Sequence, residues 1–177
     1  MLKKDYATAR DLLESALVAM RANGDRKFVA EGLLRLASVY DGLGHTLVAT
    51  RTYDEAISAA ELASDRARKV LALDNLGGIA YREKRFEDAQ RFWSTGLQIS
   101  TDLRDLWGQA RLSFYPAMVL LNGGQVAAAR ELLIKSKTIY NRIGRIDKAH
   151  VVAEFLAQLD GAGTSPDQKG NEPPGEP

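Results

Sequence analysis

One sequence feature constrains the fold more than any other: the chain matches itself at an interval of 40 residues. Ala9, Ala49, Ala89 and Ala129 recur at that spacing. Four residues after each stands a large side chain, Leu13, Tyr53, Trp93 or Leu133. Seven after each stands a small one, Ala16, Ala56, Gly96 or Ser136. Tyr6, Thr46, Phe86 and Val126 lie three residues before. Offsets of three, four and seven share one face of an α-helix, so each repeat contains an amphipathic helix in which bulky and small core residues interlock. A bundle of unrelated helices would show such offsets locally but would not hold one interval across several columns.

A second helical set runs in register with the first. Leu33 aligns with Leu73, and Leu36 with Leu76, followed by the small series Ala37, Gly77, Ala117 and Ala157. Tyr40, Ala80 and Leu120 complete it. Gly42 and Gly44, then Gly123 and Gly124, punctuate the joints between helices. Asp25, Asp65 and Asp105 recur just ahead of helical stretches, where a carboxylate is expected to accept from free N–H groups and oppose the helix dipole.

Leu76-Gly77-Gly78-Ile79-Ala80-Tyr81 followed by Phe86-Glu87-Asp88-Ala89 resembles the tetratricopeptide signature, and Leu36-Ala37-Ser38-Val39-Tyr40 with Gly44 and Ala49 resembles it again. The likeness runs from about Lys4 to Asp160. It implies an all-α fold: an α-solenoid of antiparallel helix pairs in a right-handed superhelix, with about eight helices. The period exceeds the usual 34 residues of that family and falls in the range of armadillo and HEAT repeats, but the Leu-Gly pair and the recurring Ala favour tetratricopeptide packing. Pro116 stands where Leu36 and Leu76 stand, removes a helical N–H and crowds the carbonyl of Leu112, so a kink or a late helix start is expected there.

The expected organisation is a repeat domain over residues 1–161. It comprises a half repeat at 4–22, repeats at 25–63, 65–101 and 105–141, and a capping helix at 146–160 with Val151, Val152, Phe155, Leu156 and Leu159 on its inner side. Residues 162–177, rich in Gly, Pro and charge, are expected to be a disordered tail. The half repeat either caps the array, belongs to a longer protein, or pairs with a second copy; the last implies a homodimer through the N-terminal helix.

Charge and composition narrow the function. Lys and Arg number 24 against 23 Asp and Glu, which argues against an extended nucleic-acid surface. The basic residues Arg66, Arg68, Lys69, Arg82, Lys84 and Arg85 are interleaved with Asp65, Asp74, Glu83 and Glu87. There is no cysteine, and His45 and His150 have no metal-ligating neighbours, so no catalytic residue, metal or cofactor is expected. No apolar run has the length of a membrane span, and a cytoplasmic protein is expected.

The resemblance implies a protein or peptide partner in a concave groove lined by the first helix of each pair. Transferred to this chain, the partner-binding candidates are Arg35, Asp74, Asn75, Tyr81, Arg82, Arg111, Phe114, Tyr115 and Met118. Glu31, Leu34, Ser38, Gly78, Asn122, Glu154 and Gln158 fall at related inner positions. Phe114, Tyr115 and Met118 fit either the groove or a core beneath the last helix. Some members of the family clamp a terminal carboxylate; here Arg35, Asn75, Arg82 and Arg111 offer donors, but the lysines of that clamp are missing and Asp74 opposes it. The alternative role is the sensing or dimerising arm of a bacterial regulator.

Overall fold

The computed structural model describes residues 2–162; the segment expected to be a tail lies, from residue 163 on, outside them. Eight helices follow one another: α1 (Leu2–Ala22), α2 (Arg26–Gly42), α3 (Thr46–Leu62), α4 (Arg66–Arg82), α5 (Phe86–Asp102), α6 (Leu106–Asn122), α7 (Val126–Arg142) and α8 (Ile146–Ala162). Connections this short force each helix to run antiparallel to the one before it. Each helix packs on its sequence neighbours, α2 also touches α4, and α4 touches α6, which sets the even-numbered helices side by side along one face. None of the helices is long and apolar enough to cross a membrane.

The turns share one construction. In each, the residue before the next N-cap takes a left-handed conformation: Gly24, Ser64, Lys84 and Gly124 have φ of 73°, 53°, 61° and 72°. The following N–H reaches back to a carbonyl five residues earlier, as His45 does to Tyr40 at 2.9 Å and Arg145 to Tyr140 at 2.8 Å. This is the Schellman closure, and its last residue is at once the N-cap of the next helix. Of the three recurrent aspartates, Asp65 accepts from the Arg68 N–H at 3.1 Å, whereas Asp25 and Asp105 make no such side-chain bond. The turn geometry, and not a side-chain cap, is therefore the common device.

The aligned columns form the core. Ala49, Ala89 and Ala129 are wholly buried, and Tyr53, Trp93 and Leu133 are buried against them. Rings of this size remove about 150–250 Å² each from water, so the large–small alternation carries much of the burial. Helix α6 runs unbroken through Pro116, so the late start expected there does not occur. Pro116 is itself buried and takes the core place of its leucine counterparts. On α1, Leu17 is buried while Leu12 and Val18 face solvent.

Candidate functional site

The even helices enclose a cavity of about 860 Å³ in the C-terminal half of the concave face. From α4 come Asp74, Asn75, Gly78, Tyr81 and Arg82, which share one helix face by their spacing of three and four. From α6 come Trp107, Arg111, Phe114, Tyr115 and Met118, and from α8 Lys148, Val151, Val152 and Phe155. Trp93 of α5 and Tyr140 of α7 reach it from behind.

A contact between two residues of adjacent helices fixes this wall. The ring of Trp93 lies across α4 at Gly77, where a Cβ would come within 2.6 Å of its Cδ1 and Cε2. Glycine is thus what lets the indole in, and the indole N–H donates to the Asp74 carbonyl at 3.1 Å. From Trp93 a chain of rings crosses the cavity. Phe86 packs on Tyr81 at 5.5 Å, Tyr81 on Trp93 at 5.9 Å, and Trp93 stacks on Tyr115 at 5.3 Å with planes 18° apart. Tyr115 meets Phe114 edge-on at 5.5 Å, and Phe114 meets Phe155 edge-on at 5.4 Å. Trp107 packs on Tyr140 at 5.6 Å, and the Arg145 guanidinium sits 4.5 Å above the Trp107 ring.

Charge is unevenly placed on the lining. The Asp74 carboxylate is buried and paired with Arg111 across α4 and α6. Removing either partner would leave the other as an uncompensated charge, at a cost of about 3–5 kcal/mol, so both residues are structural as well as surface-forming. Arg82 bridges to Asp41 at 2.5 Å, outside the cavity, and its side chain stays 57% exposed. Lys148 is exposed. With Arg111 paired to Asp74 and Arg82 to Asp41, the lining carries one cation in excess, Lys148. Asn122 of α6 donates to the Tyr81 hydroxyl at 2.9 Å, a second polar tie between neighbouring inner helices.

Of the residues expected at a partner site, Asp74, Asn75, Tyr81, Arg82, Arg111, Phe114, Tyr115 and Met118 come together here. Arg35 does not: it is exposed on α2 and pairs with Glu31 at 2.6 Å. Leu34 is buried in the N-terminal core, and Glu154 and Gln158 point to solvent away from the cavity. Phe114 and Met118 are half-buried and Tyr115 exposed, so these side chains wall the groove while Phe114 also packs under the last helix. Sequence reasoning missed Trp107, Tyr140 and Lys148. The columns place Trp93 in the core, where it is, and do not reveal that its edge also reaches the cavity.

The basic residues noted in the sequence are mostly neutralised. Arg66 pairs with Asp102 at 2.6 Å, Arg68 with Glu31 at 2.8 Å and with Asp65, Lys69 with Glu61 at 2.5 Å, and Arg85 with Glu83 and Asp88 at 2.8 and 2.7 Å. Burial alone would raise the carboxyls of Glu31 and Asp65. Bonds from Arg68, joined at Glu31 by one from Arg35, outweigh it and hold both below their ordinary values. Among the described residues, no group of three or more His, Asp or Glu side chains is arranged to hold a metal ion.

No protein-family description matches the chain, and no curated protein matches it. Among solved structures, it is similar to BtubC (BKLC) from P. vanneervenii at 16% identity and a TM-score of 0.64, covering 97% of this chain and 80% of that one. It is also similar to pilF of Pseudomonas aeruginosa at 19% identity and a TM-score of 0.53, covering 92% and 80%. Identities this low speak for the fold alone.

Proposed function

With the chain identified by its fold as a tetratricopeptide-like repeat protein, we propose that it is an interaction scaffold that seats a peptide or partner helix in the aromatic groove between α4, α6 and α8. The observation that carries the reading is the uninterrupted series of rings from Tyr81 to Phe155 along the lining of a cavity. Tyrosine, tryptophan and arginine in a concave setting are the residues from which binding hot spots are made. Fold likeness raises the prior for a scaffold but does not name a partner.

The test uses Arg82→Ala with Tyr115→Ala, chosen because Asp74 and Arg111 are tied into the fold and these two side chains are exposed. Circular dichroism should remain that of the parent, while partners captured from the native host by the parent chain should be lost. Loss of a hot-spot pair costs about 2 kcal/mol or more, roughly thirtyfold in affinity. Undiminished capture by the folded double variant would remove the groove from consideration.

A further inference from the structure

The joint between α5 and α6 differs from its counterpart one repeat earlier, and the difference leaves a carboxylate without a partner. Where α3 passes into α4, Asp65 accepts the Arg68 N–H at 3.1 Å and pairs with the Arg68 guanidinium, whose Nε also donates to Glu31 of α2 at 2.8 Å. Forty residues on, Asp105 repeats Asp65, but Gly108 stands for Arg68, Leu71 for Glu31 and Ser100 for Ala60. Among the described residues Asp105 has neither a side-chain cap bond nor an ion pair. The Ser100 hydroxyl is wholly buried and, among the same residues, has no hydrogen-bond partner. Both groups converge on the place that Gly108 leaves open: a Cβ there would stand 2.5 Å from the Ser100 Oγ and would also collide with an Asp105 carboxylate oxygen.

A cavity of about 170 Å³ lies at this place between α4 and α6. Val70 and Leu71 wall it on the α4 side, and Leu71 is 42% exposed, an apolar surface along which a methylene chain can lie. Asp74, Trp107 and Arg111 line both this cavity and the groove, so the two adjoin. With Asp74 paired to Arg111, the lining carries one charge in excess, the Asp105 carboxylate. The volume is several times the share of one water in the liquid, about 30 Å³, which admits a guanidinium and part of its stem. We infer that this cavity receives an arginine side chain of the groove's occupant, its guanidinium on the Asp105 carboxylate and the Ser100 hydroxyl and its methylenes along Val70 and Leu71. A planar fork gives one N–H to each of two converging acceptors, whereas an ammonium acts as a point charge. Arg68 on Asp65 and Glu31 is the same arrangement supplied from within the chain. The inference rests on the reading of the groove as a partner site, and it adds a requirement to that partner: an arginine beside its apolar anchors.

The chain's only two tryptophans separate the cavities, because Trp107 lines both and Trp93 lines the groove alone. The probe is Nα-acetyl-arginine amide, titrated into the full-length, isotope-labelled protein. It should move the Trp107 indole N–H signal saturably and leave that of Trp93 in place. The citrulline counterpart, alike in shape but uncharged, should move neither. Asp105→Asn keeps a good N-cap residue and should weaken binding by about tenfold or more, as loss of a charged hydrogen bond does. Ser100→Ala with Gly108→Arg rebuilds the Ala60 and Arg68 pair and should abolish the response by filling the cavity from within. An unmoved Trp107 signal, equal movement with citrulline, undiminished binding by Asp105→Asn, or both indole signals moving together would each overturn the inference. No partner is in the sample, so a negative titration leaves the capture experiment standing, and failed capture alongside a positive titration would sink the partner reading alone.

Discussion

The adjacent glycines Gly77 and Gly78 should respond to the same substitution with opposite sign. Alanine at 77 places a methyl carbon 2.6 Å from two atoms of the Trp93 ring, against an ordinary carbon–carbon contact of about 3.5–4.0 Å. The ring must retreat by about 1 Å, but it is 2% exposed, bonded to the Asp74 carbonyl and stacked on Tyr115. Overpacking of this kind costs about 1–3 kcal/mol, and loss of the indole bond adds about 1 kcal/mol. Better helix propensity returns about 1 kcal/mol. The net expectation for Gly77→Ala is about 2 kcal/mol of destabilisation. At Gly78 the nearest atom to an added methyl is the Arg82 Nη1 at 3.9 Å, so only the propensity gain remains, about 0.5–1 kcal/mol. Urea unfolding followed by circular dichroism should therefore move the midpoint down for the first variant and up for the second. Tryptophan emission should shift to longer wavelength only in the first. If the two variants move together, the account of Trp93 as a ring admitted by a missing methyl group is wrong.

Two further outcomes can be checked with the same assay. Arg104 is exposed and held at a left-handed φ of 56°, a conformation that costs a non-glycine residue about 1–2 kcal/mol; allowing for the greater freedom glycine loses on folding, Arg104→Gly should raise stability by about 0.5–1 kcal/mol, and an unchanged or lower urea midpoint would contradict this. The second concerns acid. Glu31 and Asp65 sit below their ordinary values of 4.5 and 3.8, so each binds its proton less readily folded than unfolded. Their contribution is complete above those values and drains as pH falls through the lower folded ones. Between neutral pH and about pH 3, the urea midpoint should fall more steeply for the parent than for Arg68→Gln, which keeps the backbone N–H bond to Asp65 and the Arg35 bond to Glu31, and parallel falls would show that the Arg68 side chain does not hold the two carboxyls.

Much of the fold was legible because burial leaves a periodic mark. The columns through Ala49, Tyr53 and Ala56 record which face of α3 is covered, and they recur because each helix pair solves the same packing problem. The turns were harder to read. Their left-handed residue is Gly at 24, 44, 124 and 144 but Ser64, Lys84 and Arg104 elsewhere, and side chains that tolerate strain hide the glycine signal. At the groove, positions on α4 and on the middle of α6 follow from helical spacing. Trp107, Tyr140 and Lys148 do not, because their placement depends on how far each helix is rotated toward the axis of the array, which is a property of tertiary packing. Arg35 lies at an inner position of α2 by the same spacing, yet the cavity opens only where α8 closes its far side.

Because the residue that ends each turn also begins the next helix, no slack is left between consecutive helices, and the chain keeps time. From α2 onward each helix begins 20 residues after the previous one. One residue added within a helix would turn everything beyond it by about 100°, carrying Ala, Trp and Leu columns out of register with their neighbours. Change in length is thus tolerated in whole beats: an array of this construction grows or shrinks by helix pairs, and its groove lengthens or shortens in steps of one inner helix at a time.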